Sequence, residues 1–157
     1  MELVRLLRKT YIGDEYLAKD NDTYKRVRFL EKDLFNCFME IFPKLKRLNL
    51  EKVLLPDSYF VEKDKFVLIY PYGGEEPLSL KDMNTLLFKT WVYDLLRDLI
   101  HVKLPVPVLG KSDFLKGNTF LYIPSFHCPR KVPEDLEEVF IAPEFLEDGK
   151  MYPSSTV

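Results

Sequence analysis

Apolar and polar residues alternate along the first third of the chain in a way that predicts strands, then a helix. Residues 4–12 form an apolar-rich segment that ends before Gly13, and Tyr16-Leu17-Ala18 reads as a short strand. Asp20-Asn21-Asp22 is a turn signal, and beyond it Tyr24, Val27 and Phe29 alternate with Lys25, Arg26 and Arg28, so the two flanks predict a hairpin. Over residues 31–48 the period changes. Leu34, Phe35, Phe38, Ile41, Phe42, Leu45 and Leu48 recur at steps of three and four, which predicts a helix that Pro43 kinks or splits. Val53 to Tyr59 is short and interrupted by Pro56. Phe60-Val61, the turn Glu62-Lys63-Asp64-Lys65, and the nearly continuous apolar run Phe66–Tyr70 predict a second hairpin with a buried second strand.

Pro71-Tyr72-Gly73-Gly74 breaks this pattern, and helix-type spacing follows. It places a boundary between a small β-rich lobe, residues 1–72, and a helical one, residues 73–157. Leu86, Leu87, Trp91, Leu95 and Leu99 mark a helix within residues 79–100. Leu104-Pro105-Val106-Pro107-Val108 is extended, since a proline biases its predecessor away from helix. Ser112–Leu115 and Thr119–Ile123 predict a small hairpin across Lys116-Gly117-Asn118, and the tail from Pro124 is proline-rich loop.

Composition narrows the functional classes. The 157 residues are 46% hydrophobic and 31% charged, with a formal net charge of −2, which is globular and has no basic field for nucleic acid. No run of about 18 uncharged apolar residues occurs, so no membrane span is expected within this chain, and the start Met1-Glu2-Leu3-Val4-Arg5 does not read as a signal peptide. Cys37 and Cys128 are too far apart for a disulfide framework and make no Cys-x-x-Cys pair, which implies a cytoplasmic, reducing compartment, with Cys37 in the core. His101, His127 and the two cysteines are too scattered for a four-ligand zinc site, so no metal is expected there. Trp91 reads as core, and Asp94 and Asp98 as a solvated ladder on its helix.

Two hairpins with a helix between them, a glycine-containing hinge, a helical half and the late tripeptide Ala142-Pro143-Glu144 together resemble the protein kinase superfamily. The resemblance implies an α+β, bilobal fold. Its small lobe is an antiparallel sheet with one main helix, and its helical lobe is abbreviated, stopping before the central helix. Gly13 matches the last of the three glycines of the phosphate loop, with Arg8 and Thr10 at the earlier two positions. Arg26-Val27-Arg28 aligns with the strand that bears the phosphate-binding lysine, and puts Arg28 in the lysine's place. Glu40 matches the helix glutamate that pairs with it, so an Arg28–Glu40 pair is expected. Glu15 and Arg26 stand where small apolar residues sandwich adenine. They are expected to face each other across the hairpin and fill that slot, because displacing such a pair costs desolvation as well as the lost interaction. Tyr70 is a bulky gatekeeper, Tyr72 belongs to the hinge, the adenine-contacting amide lies near Gly73, and Leu115 belongs to the same slot.

The chemistry, by contrast, looks erased. Counting back from Asp113, which matches the metal-binding asparagine, puts Val108 at the catalytic base, and valine accepts no proton. Ile123-Pro124-Ser125-Phe126 stands where a second metal-binding carboxylate belongs and has none. Ala142, Pro143 and Glu144 anchor the end of the activation segment. The resemblance therefore implies a pseudokinase without enzymatic activity or cofactor, regulating or scaffolding a protein partner, a second copy included, while charge and hydropathy add the expectation of no nucleic acid partner and no membrane within this chain. The alternatives are an atypical ATP- and Mg²⁺-dependent kinase, serine/threonine-kinase-like, working through Arg28 and Asp113, or an unrelated α+β binding domain.

Overall fold

Side-chain alternation gives the main sheet two unlike faces, and that difference organises the structure. The computed structural model describes residues 1–10, 13–104 and 111–124. Its strands β1 (Glu2–Thr10), β2 (Gly13–Asp20), β3 (Thr23–Glu31), β4 (Ser58–Glu62) and β5 (Lys65–Pro71) form an antiparallel sheet in the order β1-β2-β3-β5-β4. Along β5, Phe66, Leu68 and Tyr70 join the larger core, whereas Val67 and Ile69 join a smaller cluster with Ala18 and Val27 on the opposite face. Leu30 of β3 is on the larger-core side. By the same period of two, Arg28 and Arg26 share its face, and they pair in register with Leu68 and Tyr70 of β5. Both predicted hairpins are present, with Asn21 and Lys63 in the left-handed conformations that tight turns require.

Helix α1 (Phe35–Leu45) follows a 3₁₀ turn at Lys32–Leu34 and buries Cys37, Phe38 and Leu45. Of the kink or split expected at Pro43, the helix shows no split and runs on to Leu45. The proline forgoes the one amide bond its position would have made, and only Lys44 and Leu45 follow it before the helix ends. Phe38 stacks edge-on against Phe66 with ring centres 5.1 Å apart, which docks α1 on the sheet.

The single helix expected over residues 79–100 is two helices. Helix α2 (Leu80–Met83) begins with a reciprocal capping box between Ser79 and Asp82. Helix α3 (Leu86–His101) restarts at Thr85, whose hydroxyl accepts from the Phe88 amide at 3.1 Å. A threonine cap offers the backbone a new helix start, and the periodicity of apolar residues alone does not register it. Strands β6 (Glu76–Pro77), β7 (Phe114–Lys116) and β8 (Phe120–Tyr122) form a small sheet in that order. It ties the segment after the hinge to the predicted small hairpin. The larger core runs without a break from Leu30 and Phe66 through Phe88, Leu95 and Leu99 of α3 to Phe114, Leu115 and Tyr122. The sheet and the helices are therefore welded by one apolar body, and the polar groups trapped where they meet must find partners there.

Candidate functional site

The face of the sheet that carries Leu30 also carries charge. Register puts Arg8 of β1 opposite Glu15 of β2, and Glu15 opposite Arg28 of β3, so the three lie in one line across the strands. Arg26, one pleat along β3, lies diagonal to Glu15, within reach of a long side chain. Glu15 is fully buried, and Arg26 and Arg28 are each only 1% exposed.

All three guanidiniums converge on the one carboxylate. Arg8 donates from Nε to Oε1 at 2.9 Å and from Nη2 to Oε2 at 3.1 Å. Arg28 donates from Nη2 and Nε to Oε2 at 2.8 and 3.2 Å. Arg26 donates from Nη1 to Oε1. Burial alone would push the Glu15 carboxyl up, but Arg28, Arg8 and Arg26 outweigh it and hold the group well below the usual carboxylate range. Glu15 is therefore an anion at any ordinary pH. For Arg28, burial pulls downward and is overcome by Tyr70, Glu15 and Asp113, leaving its pKa raised. Burial dominates at Arg8 and lowers its pKa.

Each arginine spends a further donor on a main-chain carbonyl outside the sheet. Arg8 Nη1 reaches Ser112 at 2.5 Å, Arg26 Nη2 reaches Glu75 at 2.9 Å, and Arg28 Nη1 reaches Pro124 at 3.4 Å. The cluster thus stitches β1 and β3 to the hinge, to the turn before β7, and to the segment after β8. Arg26 also lies over the Tyr72 ring at 5.4 Å and Arg28 over the Tyr70 ring at 5.7 Å. Tyr70 is completely buried, and burial pushes its hydroxyl up to about 12. The Tyr70 hydroxyl and Arg26 Nε are buried without a hydrogen-bond partner among the described residues.

The structure brings together Glu15, Arg26, Arg28, Tyr70 and Tyr72 and adds Arg8, which the sequence reading had left at a lost glycine position. The residue directly opposite Glu15 is Arg28, not Arg26 as expected, although both reach it. The expected Arg28–Glu40 pair is not formed. Glu40 is exposed on the solvent side of α1, because the helical period turns Cys37 and Phe38 inward, and Arg28 is engaged by Glu15 instead. The Gly73 amide, the group expected to meet adenine, donates to Glu75 Oε1 at 3.1 Å. Asp113 is buried at 2% exposure in a 3₁₀ turn beside the cluster, and Leu115 is fully buried in β7. Gly13 closes the β1–β2 end, where a Cβ would stand 1.9 Å from the Phe29 carbonyl oxygen. Val108, Ser125, Phe126, His127, Cys128, Ala142, Pro143 and Glu144 lie outside the described residues. Cys37 is buried as expected, but it is disulfide-bonded and not a free thiol.

Beside the hinge opens a groove of about 1160 Å³, lined in part by Lys52, Glu75, Asp82, Trp91 and Lys116. Its cations are already paired, Lys52 with Asp98 at 2.6 Å and Lys116 with Asp82 at 2.9 Å.

A five-stranded antiparallel sheet carrying one helix, a glycine hinge, and helices followed by a small hairpin match solved kinase domains. The crystal structure of the Mycobacterium tuberculosis PknI kinase domain superposes with a TM-score of 0.57 at 13% identity, covering 80% of this chain and 59% of that one. A cysteine-to-alanine mutant of the same domain gives 0.60 and a double mutant 0.61, again at 13% identity, covering 81% and 83% of this chain.

The fold is protein-kinase-like.

The chain spans about 59% of the length of these kinase domains. No protein-family model and no curated protein matches the sequence.

Proposed function

We propose that this chain is a catalytically inactive, protein-kinase-like module that acts as a regulator or scaffold through contacts with a protein partner. One observation carries the reading: the position flanking adenine in a kinase is held by Glu15, a buried anion gripped by Arg8, Arg26 and Arg28. A nucleotide base entering there must displace a compensated ionic cluster and leave its charges unpaired, at a cost on the order of several kcal/mol. The Gly73 amide already has an acceptor in Glu75, so the hinge offers the base less. The sequence supplies no base at Val108 and no second carboxylate between Ile123 and Phe126, so phosphoryl transfer has neither a proton acceptor nor a pair of metal ligands. In this reading residues 1–72 are the small lobe, residues 73–157 are part of the helical lobe, and no cofactor is required.

Partner contacts are best sought on the exposed apolar side chains Leu80, Leu86 and Leu87, which are 67%, 80% and 73% exposed around the start of α3. The proposed occupant is a protein surface, with a second copy of the chain as the first to test. No helix among the described residues is long and apolar enough to cross a membrane. A cytoplasmic location is part of the proposal, and the disulfide at Cys37 counts against it, since such bonds persist mainly in oxidising compartments.

The fold itself favours the second reading, an ATP-dependent kinase using Arg28 and Asp113. Incubation with γ-labelled ATP, Mg²⁺ and a general acceptor protein separates the two. The inactive reading expects no label above a protein-free control. Labelled product that is lost in an Asp113→Ala variant would establish the kinase reading instead.

A further inference from the structure

The cluster around Glu15 has the make-up of an anion site. Three guanidinium forks point at one pair of oxygens, and arginine forks match carboxylate and phosphate oxygens alike. Their positions do not depend on Glu15 alone. Arg8 is also held by the Ser112 carbonyl, Arg26 by the Glu75 carbonyl and the Tyr72 ring, and Arg28 by the Pro124 carbonyl. The forks are therefore anchored to three separate segments of the fold and remain directed inward if the carboxylate is removed. Other negative charge nearby is limited. Glu75 Oε1 stands 3.8 Å from Arg26 Nη2, and Asp113 acts on Arg28. Arg26 Nε and the Tyr70 hydroxyl, fully buried and without partners among the described residues, leave unspent hydrogen-bonding capacity in the same interior. Glu15, Arg26, Arg28 and Tyr70 are closed off from solvent, while Arg8 and Glu75 lie at the partly exposed edge of the cluster.

We propose that Arg8, Arg26 and Arg28 form a latent oxyanion-binding site, of a size and charge for inorganic phosphate, that Glu15 occupies as a resident surrogate ligand. The carboxylate supplies two oxygens where a tetrahedral oxyanion supplies four, and the neighbouring Tyr70 hydroxyl and Arg26 Nε are suited to meet the additional ones. The site stays shut while Glu15 is in place, because the anion it would bind is already present at an effective concentration no free solute reaches. Protonation does not open it, since the three arginines keep Glu15 ionised. The inference rests on the reading of the slot as filled by the chain's own charges, and it is tested on a variant, separately from nucleotide binding by the parent protein.

The experiment is chemical rescue of the full chain carrying Glu15→Ala, which removes the carboxymethyl group and leaves the three forks. Thermal unfolding is followed in chloride and in 10 mM inorganic phosphate at matched ionic strength, for the variant and the parent. The proposal expects phosphate to raise the variant's midpoint by roughly 5 °C and the parent's by no more than about 1 °C. Adding Arg28→Met to Glu15→Ala should abolish the response. Equal shifts in variant and parent, or a shift that survives Arg28→Met, overturn the proposal. If Glu15→Ala does not fold in chloride, refolding in phosphate but not chloride supports it. The double variant Arg8→Ala/Glu15→Ala, with one fewer unpaired charge and the two fully buried forks intact, then serves as the second test. Absence of a phosphate-specific shift in that variant overturns the proposal.

Discussion

Replacing Glu15 by glutamine tests whether the ionic cluster holds the structure together. The change keeps the shape of the side chain, removes its charge, and turns one acceptor oxygen into a donor that faces guanidiniums. Arg8, Arg26 and Arg28 all donate to this carboxylate, and hydrogen bonds to charged groups are worth about 1.5–3 kcal/mol each when isolated. The bonds share one acceptor group, so their values do not add. The better guide is the cost of breaking a buried ion pair by removing one partner, about 3–5 kcal/mol. Glu15 at zero exposure and Arg28 at 1% satisfy the conditions for that figure. Against a native stability of about 5–15 kcal/mol the loss is large. The chain's one tryptophan, Trp91, packs against Phe88, Phe114 and Phe120 in the larger core, so its fluorescence reports the unfolding of that core. With a urea slope on the order of 2 kcal/mol/M, the midpoint should fall by about 2 M with the slope unchanged. A loss below about 1 kcal/mol would place the cluster with ordinary surface ion pairs and refute the reasoning.

Three further outcomes follow from the same interior. Tyr70→Phe removes a buried hydroxyl that has no partner among the described residues, so stability should hold or rise by up to about 1 kcal/mol in urea titration, and a loss beyond about 1 kcal/mol would show that the hydroxyl is bonded. Gly13→Ala puts a methyl 1.9 Å from the Phe29 carbonyl oxygen, and circular dichroism melts should show a loss of about 2 kcal/mol or more, whereas a neutral change would mean that the β2–β3 end yields freely. Glu15 has a folded pKa held below its ordinary value of 4.5, so the stability it contributes is full above that value and is lost as pH falls through the folded value. It faces Arg8, Arg26 and Arg28, with Tyr70, Glu75 and Asp113 near them, and Glu15→Gln leaves all of these in place. From pH 5 to pH 3, stability of the parent should therefore drop more steeply than that of Glu15→Gln, by up to about 1.4 kcal/mol per pH unit below 4.5, and parallel slopes would contradict the assignment.

The sheet was legible because each strand is bounded by turn residues with their own chemistry, Asp20-Asn21-Asp22 and Glu62-Lys63-Asp64-Lys65 among them. The meeting of Glu15 with Arg26 was legible from the resemblance, which sets both at the adenine slot, although the hairpin register pairs Glu15 with Arg28 and leaves Arg26 diagonal. Arg8 was not foreseen, because a match to a lost glycine describes what is missing and not what the new side chain does. A register count was available as a signal: Thr10 faces Gly13, so Arg8 faces Glu15. The Arg28–Glu40 expectation failed because one glutamate at the right sequence distance says nothing about which face of α1 it occupies. The helix is docked through Phe38 and Leu45, which leaves Glu40 in solvent. Glu75 escaped notice because its side chain turns back onto the Gly73 amide two residues earlier, and its carbonyl meets Arg26, forty-nine residues away, only once the chain is folded. The break between α2 and α3 was hidden for a similar reason, the Thr85 cap being a main-chain device inside a continuous apolar pattern.

The most direct test of the central claim is thermal unfolding of the full chain with and without millimolar ATP and Mg²⁺. A ligand that binds the native state raises the midpoint by mass action, by about 2.7 kcal/mol of stabilisation at one hundred times its dissociation constant. A slot filled by Glu15 and its arginines predicts no shift beyond that produced by MgCl₂ alone. A clear ATP-dependent rise would show that the slot opens to nucleotide and contradict the account.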